Sequence, residues 1–416
     1  MTQIFPETVA QQTSTRKIDT ARASIYETID RLAVPLRQVN QEIHDHPEIG
    51  YEEVHAHATL TGQLKALGFA VTEHAYGLST SFEAEIGEGG RLVVFCAEYD
   101  ALPNIGHACG HNLIATSSLA AFIGLATTVQ KLGIPGRVRI LGTPAEEGGG
   151  GKAKLIDAGA FKDDISAAIM AHPMAAHQYP GEYTGLAGFK LIASHKLRVE
   201  FSGRSAHAGA EPWNGVNALD AAVASYVSIS MLRQQIQPDE RIHGVIEHGG
   251  TVPNVITAYT RVNYNVRSPT IKRADELLTR VKACFEAAAV STGCTLKYIH
   301  APTYMDLRIN ETLCKYYVED MADVGDKILL KDDVPASAST DMGNVSYTVP
   351  SFHGGFAIPA PSEVTGHHPS FAKAAGTDEA HASAIRCAKG MAMLGWRVLT
   401  DSRVAEGARR DFEHLE

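Results

Sequence analysis

Apolar residues at Ile18, Ile25, Ile29, Leu32, Leu36, Val39 and Ile43 recur every three or four positions with one gap of seven. This spacing predicts a helix over 17–45, bent near Pro35. A second helix is predicted over 51–67, stopped by Gly68. Strand-like runs follow at 69–73, 79–86 and 91–97, then a helix over 113–130. A short apolar run at 137–142, a helix over 153–160 and a strand at 165–170 continue the alternation, which implies an α/β sheet. The character then changes. Strands at 196–201, 241–247, 258–267 and 294–299, with helices over 217–235 and 274–290, give a self-contained β-α-β-β-α-β order. Beyond it come a helix near 311–323, a strand at 351–358, a helix over 378–400 and a charged tail expected to fray. The expected architecture is a mixed-sheet α/β/α domain built from 1–190 and 302–416, interrupted by an α+β domain over 191–301.

Composition narrows the class. A chain of 416 residues is too long for one ordinary core, and 44% hydrophobic with 20% charged residues is the balance of a soluble globular protein. The formal net charge of −10 argues against a nucleic-acid surface, which needs clustered Lys and Arg. Segment 1–20 is polar and lacks the apolar stretch of about 7–15 residues that a signal peptide requires. No apolar run approaches a membrane span. Without secretion, the six cysteines are expected to be free thiols and the compartment the cytoplasm.

The chemistry concentrates after three strands. Glu98, Asp100, Cys109 and His111 follow 91–97; Glu146 and Glu147 follow 137–142; His172 follows 165–170. Open α/β sheets carry their sites beyond the carboxyl ends of their strands. A lone cysteine is ordinarily a small core residue and a lone histidine a satisfied polar one. Cys109-x-His111 together with the Glu146-Glu147 pair, His172 and His367-His368-Pro369 reverses that expectation. Thiolate, imidazole and carboxylate together suit Zn²⁺, with Mn²⁺ or Co²⁺ as rivals. Adjacent carboxylates cannot easily do one job, so the natural division is one ligand and one general base. Two other patterns fail. Gly148 to Lys152 lacks the spacing of a phosphate-cradling loop, and Asp378-Glu379-Ala380-His381 reads as a helix start capped by Thr377.

Ala108-Cys109-Gly110-His111-Asn112, Pro144-Ala145-Glu146-Glu147-Gly148 and Ser205-Ala206-His207-Ala208 carry a family resemblance. So do Trp213-Asn214-Gly215-Val216-Asn217-Ala218 and, at the start, His44-Asp45-His46-Pro47-Glu48-Ile49-Gly50-Tyr51-Glu52-Glu53. From His44 to His381 the chain resembles the M20 metallopeptidases, in their amidohydrolase branch, near the M20-domain dipeptidases and the aminobenzoyl-glutamate hydrolases. The resemblance implies a dinuclear-metal hydrolase domain with an inserted ferredoxin-like lid and dimerisation domain. It implies two divalent ions, Zn or Mn with Co as a further choice, held by Cys109, His111, Glu147, His172 and His367. Glu146 would be the base, and His207, usually from the partner subunit of a homodimer, would stand over the scissile carbonyl. Asn254 and Arg267 would bind the substrate carboxylate, a task the guanidinium fork suits; otherwise Arg267 is an edge-strand residue in solvent. His367 is preferred to His368 because the family spacing is His-x-Pro with an aromatic two residues on, here Phe371. Many relatives have His-x-Asp where this chain has Glu98-Tyr99-Asp100, so Glu98 and Asp100 are expected to orient the site from behind. The expected reaction is hydrolysis of an amide next to a free carboxylate in a dipeptide or N-acyl amino acid. The alternatives are an N-aroyl amino acid or secondary-metabolite amide, and a non-catalytic binding protein on the same fold.

Overall fold

The computed structural model describes residues 9–162 and 164–414, with the side chains of 9–16 outside that description. The first eight residues of the polar 1–20 segment therefore lie beyond it. The chain divides into two units, one of 1–189, 308–334 and 345–416, the other of 190–307 and 335–344. Segment 335–344 thus clusters with the second unit, whereas the expectation from the sequence assigns everything after 302 to the first.

Along the chain the strands are β1 (Thr72–Glu73), β2 (Phe82–Glu88), β3 (Leu92–Ala97), β4 (Gly136–Gly142), β5 (Ile165–Ala175) and β6 (Gly185–Leu191). They continue as β7 (Ala193–Ser202), β8 (Arg241–His248), β9 (Tyr259–Ser268), β10 (Thr295–His300), β11 (Ile328–Ala336) and β12 (Ser351–Ile358). The first unit holds a mixed eight-stranded sheet in the order β1-β2-β4-β3-β5-β12-β6-β11. Its centre is parallel: β3 lies between β4 and β5, and β5 pairs with β12, while β2 against β4 and β6 against β12 are antiparallel. Every residue of β3 is buried, which explains its unbroken apolar run. Helices His111–Leu132 and Asp378–Thr400 pack on this sheet, and Val9–Arg31 and Ala33–Asp45 pack on the first of them. Leu119, Phe122, Ile140, Ile169, Phe352 and Met391 belong to the core so formed.

Several boundaries differ from the periodicity. The first helix breaks at Leu32, not Pro35, so the proline falls in the first turn of Ala33–Asp45, where no helical N–H is lost. The next helix begins at Val54, because Tyr51 takes a left-handed conformation (φ 68°). The tail is not frayed: Ser402–His414 is a helix that buries Val404 and Ala408, with Asp411 accepting from Thr312 N at 2.6 Å. Strands β6 and β11 carry no alternation that marks them in the sequence. Helix His111–Leu132 is long and apolar enough to cross a membrane, contrary to the sequence expectation, but 94% of its most apolar stretch is buried in the protein, as befits a core helix. Thr377 caps Asp378–Thr400 through Ala380 N at 3.2 Å, as expected.

The second unit is a four-stranded antiparallel sheet in the order β10-β7-β9-β8. Helices Ala218–Leu232 and Ile271–Thr292 bury Ala222, Ile229, Val281 and Phe285 in its own core. The order is that of the ferredoxin-like sandwich.

Candidate metal centre

Cys109, His111, Glu146, Glu147, His172 and His367 come together in the first unit. Cys109 Sγ lies 3.3 Å from His172 Nε2, and the rings of His111 and His172 stand perpendicular with centroids 5.9 Å apart. Glu147 Oε1 is 3.1 Å from His367 Nε2 and 4.0 Å from His111 Nε2. Donor atoms of Cys109, His111 and His172 fall within 4.8 Å of one another, as do those of Cys109, Glu147 and His367 and those of His111, Glu146 and Glu147. His368 turns away and caps helix Pro369–Ala375, accepting from Ser370 N at 3.1 Å.

Local backbone explains the convergence. Cys109 and His111 do not share a face through strand alternation; Gly110 at φ 80° turns the chain into helix His111–Leu132 between them. A Cβ at Gly110 would sit 2.6 Å from Pro173 Cγ, so only glycine lets this turn lie against the strand bearing His172. His172 is inside β5 rather than at its end, opposite Gly355 of β12. His367 is left-handed (φ 66°), with its N–H donating to Ala108 O at 2.8 Å.

Asp100 and Glu98 stand behind these groups. Asp100 Oδ1 is 3.1 Å from His111 Nδ1, and Oδ2 accepts from Glu147 N at 2.8 Å, so one buried carboxylate fixes a candidate ligand and the turn bearing another. Glu98 Oε2 points to the other side of the same ring, 3.5 Å from His111 Nε2. Glu98 Oε1 is bonded to the ammonium of Lys152, which is fully buried. In the sequence Lys152 stands out only as the end of the failed phosphate loop; its position directly after four glycines is the one available signal. His353, buried in β12 with its ring 6.2 Å from that of His172, leaves no signal in its apolar strand.

The electrostatics are those of a cation site. Burial pushes the Cys109 thiol far up, and burial together with His111 holds His172 down. Burial disfavours charge on His111, yet Cys109 and Asp100 outweigh it and raise the imidazole. His367 is raised by its contact with Glu147. His111 Nε2 and Glu98 Oε2 are both buried without a hydrogen-bond partner, a costly state for polar atoms. A divalent cation among these donors would relieve both, so the donor set fits one.

The remaining candidates belong to the second unit. His207 is exposed; its Nδ1 accepts from Gly209 N and Ala210 N at 3.2 and 3.1 Å, which leaves the proton on Nε2. Asn254 is its neighbour, its carbonyl accepting from Ala208 N at 3.0 Å. Arg267 is not an edge residue: β9 lies between β7 and β8. It is half-buried, donates to Ser337 O at 3.2 Å, and has no carboxylate within ion-pair distance among the described residues.

The model of Peptidase family M20/M25/M40 matches residues 94–390. The Xaa-Arg dipeptidase of Mus musculus is 39% identical over 96% of this chain and 94% of its own. A p-aminobenzoyl-glutamate hydrolase chain of Escherichia coli is 32% identical over 66% of this chain and 60% of its own. Among solved structures, an aminobenzoyl-glutamate utilization protein from Klebsiella pneumoniae superposes with a TM-score of 0.70 at 19% identity, covering 88% of this chain and 97% of that one. A dinuclear metal binding M20 peptidase of Bacillus subtilis gives 0.62 at 20% identity, covering 89% and 99%. The likeness to the solved structures is one of fold, while the family match runs through Cys109, Glu146, His172, His207 and His367. This chain belongs to peptidase family M20 and is a metal-dependent hydrolase of the amidohydrolase and dipeptidase kind.

Proposed function

We propose that the protein is a dinuclear dipeptidase that removes the C-terminal residue of a dipeptide bearing a free carboxylate, with an Xaa-Arg dipeptide as the first substrate to try. The observation that carries this is the convergence of one thiol, three imidazoles and one carboxylate, whose donor atoms lie within 4.8 Å of one another in overlapping groups of three, around a His111 Nε2 that is buried without a hydrogen-bond partner. The 39% identical mouse relative bears the name of an Xaa-Arg dipeptidase, which supports the choice of substrate.

In this reading Cys109, His111, Glu147, His172 and His367 hold two divalent ions, Zn or Mn, with Co as a further choice. Those ions supply Lewis-acid polarisation of the scissile carbonyl and lower the pKa of the attacking water. Glu146 takes the proton of that water as its oxygen bonds to the carbonyl carbon, and returns it to the amine as the C–N bond breaks. His207 donates Nε2–H to the developing oxyanion, and Asn254 with Arg267 binds the carboxylate. The tautomer imposed on His207, and an Arg267 guanidinium bonded to a backbone carbonyl and to no carboxylate among the described residues, support these roles.

The second unit also presents Val223, Tyr226, Val227 and Met231 exposed on one helix face, and Val245 and Ile246 exposed on edge strand β8. That face supports a homodimer formed through this unit. The six free thiols accord with a cytoplasmic protein.

The test is a panel of Xaa-Arg dipeptides, N-acyl amino acids and p-aminobenzoyl-glutamate with metal-quantified enzyme. Glu146→Gln should keep its metal and lose about 10²–10⁴ in kcat. Wild-type turnover in that variant would reject Glu146 as the base.

A further inference from the structure

The motif running from His44 to Glu53 has no part in the chemistry above, yet its second half touches the turn that carries both glutamates. Residues 145–150 form that turn, between β4 and helix Gly151–Asp157. Ala145, fully buried, is left-handed at φ 58°, a conformation that strains an L-residue with a Cβ. Something must hold it there.

Glu53 and Tyr51 do so from opposite ends. Glu53 is buried, and its Oε1 accepts from Ala145 N at 2.8 Å, immediately before Glu146. Its Oε2 accepts from the Thr80 hydroxyl at 2.7 Å, and Thr80 O in turn accepts from Tyr99 OH, so the carboxylate cannot swing. Tyr51 OH donates to Gly149 O at 2.7 Å, two residues beyond Glu147. The Lys154 ammonium sits 4.0 Å from the centroid of the Tyr51 ring and confines it. Tyr51 is itself left-handed at φ 68°.

Packing closes the arrangement. A Cβ at Gly50 would lie 2.8 Å from Ala145 Cβ, and one at Gly149 would lie 2.7 Å from it. The Ala145 methyl is therefore wedged between two glycines. The turn is pinned at 145 and at 149, with Glu146 and Glu147 between the pins.

We infer that Tyr51 and Glu53 are positioning residues that hold the Ala145–Glu146–Glu147 turn, setting Glu146 for proton transfer and Glu147 for metal binding. The inference rests on the proposed roles of those two glutamates, and the experiment separates the failure of one from the failure of the other.

Tyr51→Phe, Glu53→Ala and Glu53→Gln are compared with Glu146→Gln and wild type for kcat and KM on an Xaa-Arg dipeptide and for the rate of metal loss to a chelator. Far-UV circular dichroism reports the folded fraction. Tyr51→Phe should lower kcat about tenfold with little change in KM, the effect of one lost positioning hydrogen bond. Glu53→Ala should cost about 10²-fold, as misplacement by about 1 Å does. Glu53→Gln should recover most of that, since an amide oxygen accepts from Ala145 N and an amide N–H donates to Thr80. Tyr51→Phe and Glu53→Ala combined should lose less than the product of the two, because both act on one turn. Both should release metal faster.

If Glu146→Gln is inactive while folded Tyr51→Phe and Glu53→Ala turn over as wild type, the brace is overturned and the proposed function stands. If Glu146→Gln keeps full activity, the assignment of the base falls. Chelator release then decides the brace through Glu147 alone: faster release supports it and an unchanged rate overturns it.

Discussion

Lys152→Met tests the charge arrangement behind the candidate metal centre. Lys152 and Glu98 form an ion pair in which both side chains are buried, and Glu98 Oε2 faces His111 at 3.5 Å. Removing one partner of a buried pair leaves the other charge uncompensated, at a cost of about 3–5 kcal/mol. In a unit of this size each kcal/mol lowers the melting temperature by about 2 °C, so the variant should melt about 6–10 °C below wild type. The melt must be taken on chelator-stripped protein, since bound metal would stabilise the native state by mass action and mask the difference. Adding Glu98→Gln to Lys152→Met removes the stranded charge and should restore at least half of the loss. A Lys152→Met protein melting within about 2 °C of wild type would refute the reasoning, as would a double variant less stable than the single one.

His381 predicts a pH dependence outside the centre. Burial first, then Arg37, holds its imidazole down at about 4, against an unfolded value of about 6.5. Between those values the unfolded chain binds a proton that the native one does not, so stability falls as pH drops from about 6.5 towards about 4. Discounted for solvent screening, the effect is about 1–2 kcal/mol. Urea titrations at both ends of that window should show His381→Leu losing this part of the slope; an unchanged slope would exclude His381 as its source. His367→Ala and His368→Ala should separate cleanly. The first should lose metal and turnover, whereas the second should cost about 1 kcal/mol of helix capping and keep its metal content. Equal metal loss in the two would reject the choice between them.

Much of the parallel core was legible, and for a definite reason. Strand β3 is apolar throughout, and helix His111–Leu132 carries small or apolar residues over most of its length, so burial wrote both into the sequence. Strands β6 and β11 were not legible because one mixes glycine with apolar residues and the other carries Lys331, Asp332 and Asp333 on an exposed sheet edge. Cys109, His111, Glu146, Glu147, His172 and His367 were legible as residue types in motifs. Their convergence was not, since it depends on β5 running beside β12 and on Gly110 closing against Pro173. Lys152 was legible only as the end of a failed phosphate loop, because a lysine after a glycine run ordinarily reads as solvated. Nothing short of the fold shows it fully buried against Glu98.

The strained positions show how the turns around the candidate centre are held. Six non-glycine residues among those described have positive φ, and three of them bear on the candidate site: His367 is a candidate ligand, Ala145 precedes Glu146, and Tyr51 bonds the turn at Gly149. Each is held by a specific bond rather than by its own preference: Tyr51 through Gly149 O, Ala145 through the Glu53 carboxylate, His367 through Ala108 O. Glu147 and His367 attract each other as carboxylate and imidazole, and the pinned backbone on either side fixes where that pair sits relative to Cys109 and His111. The two stand 3.1 Å apart, with the strained backbone at Ala145 and His367 held by hydrogen bonds to the Glu53 carboxylate and to Ala108 O. The site is thereby shaped by its supporting shell before any ion enters, and the ordering cost of assembling five donors falls on folding rather than on binding.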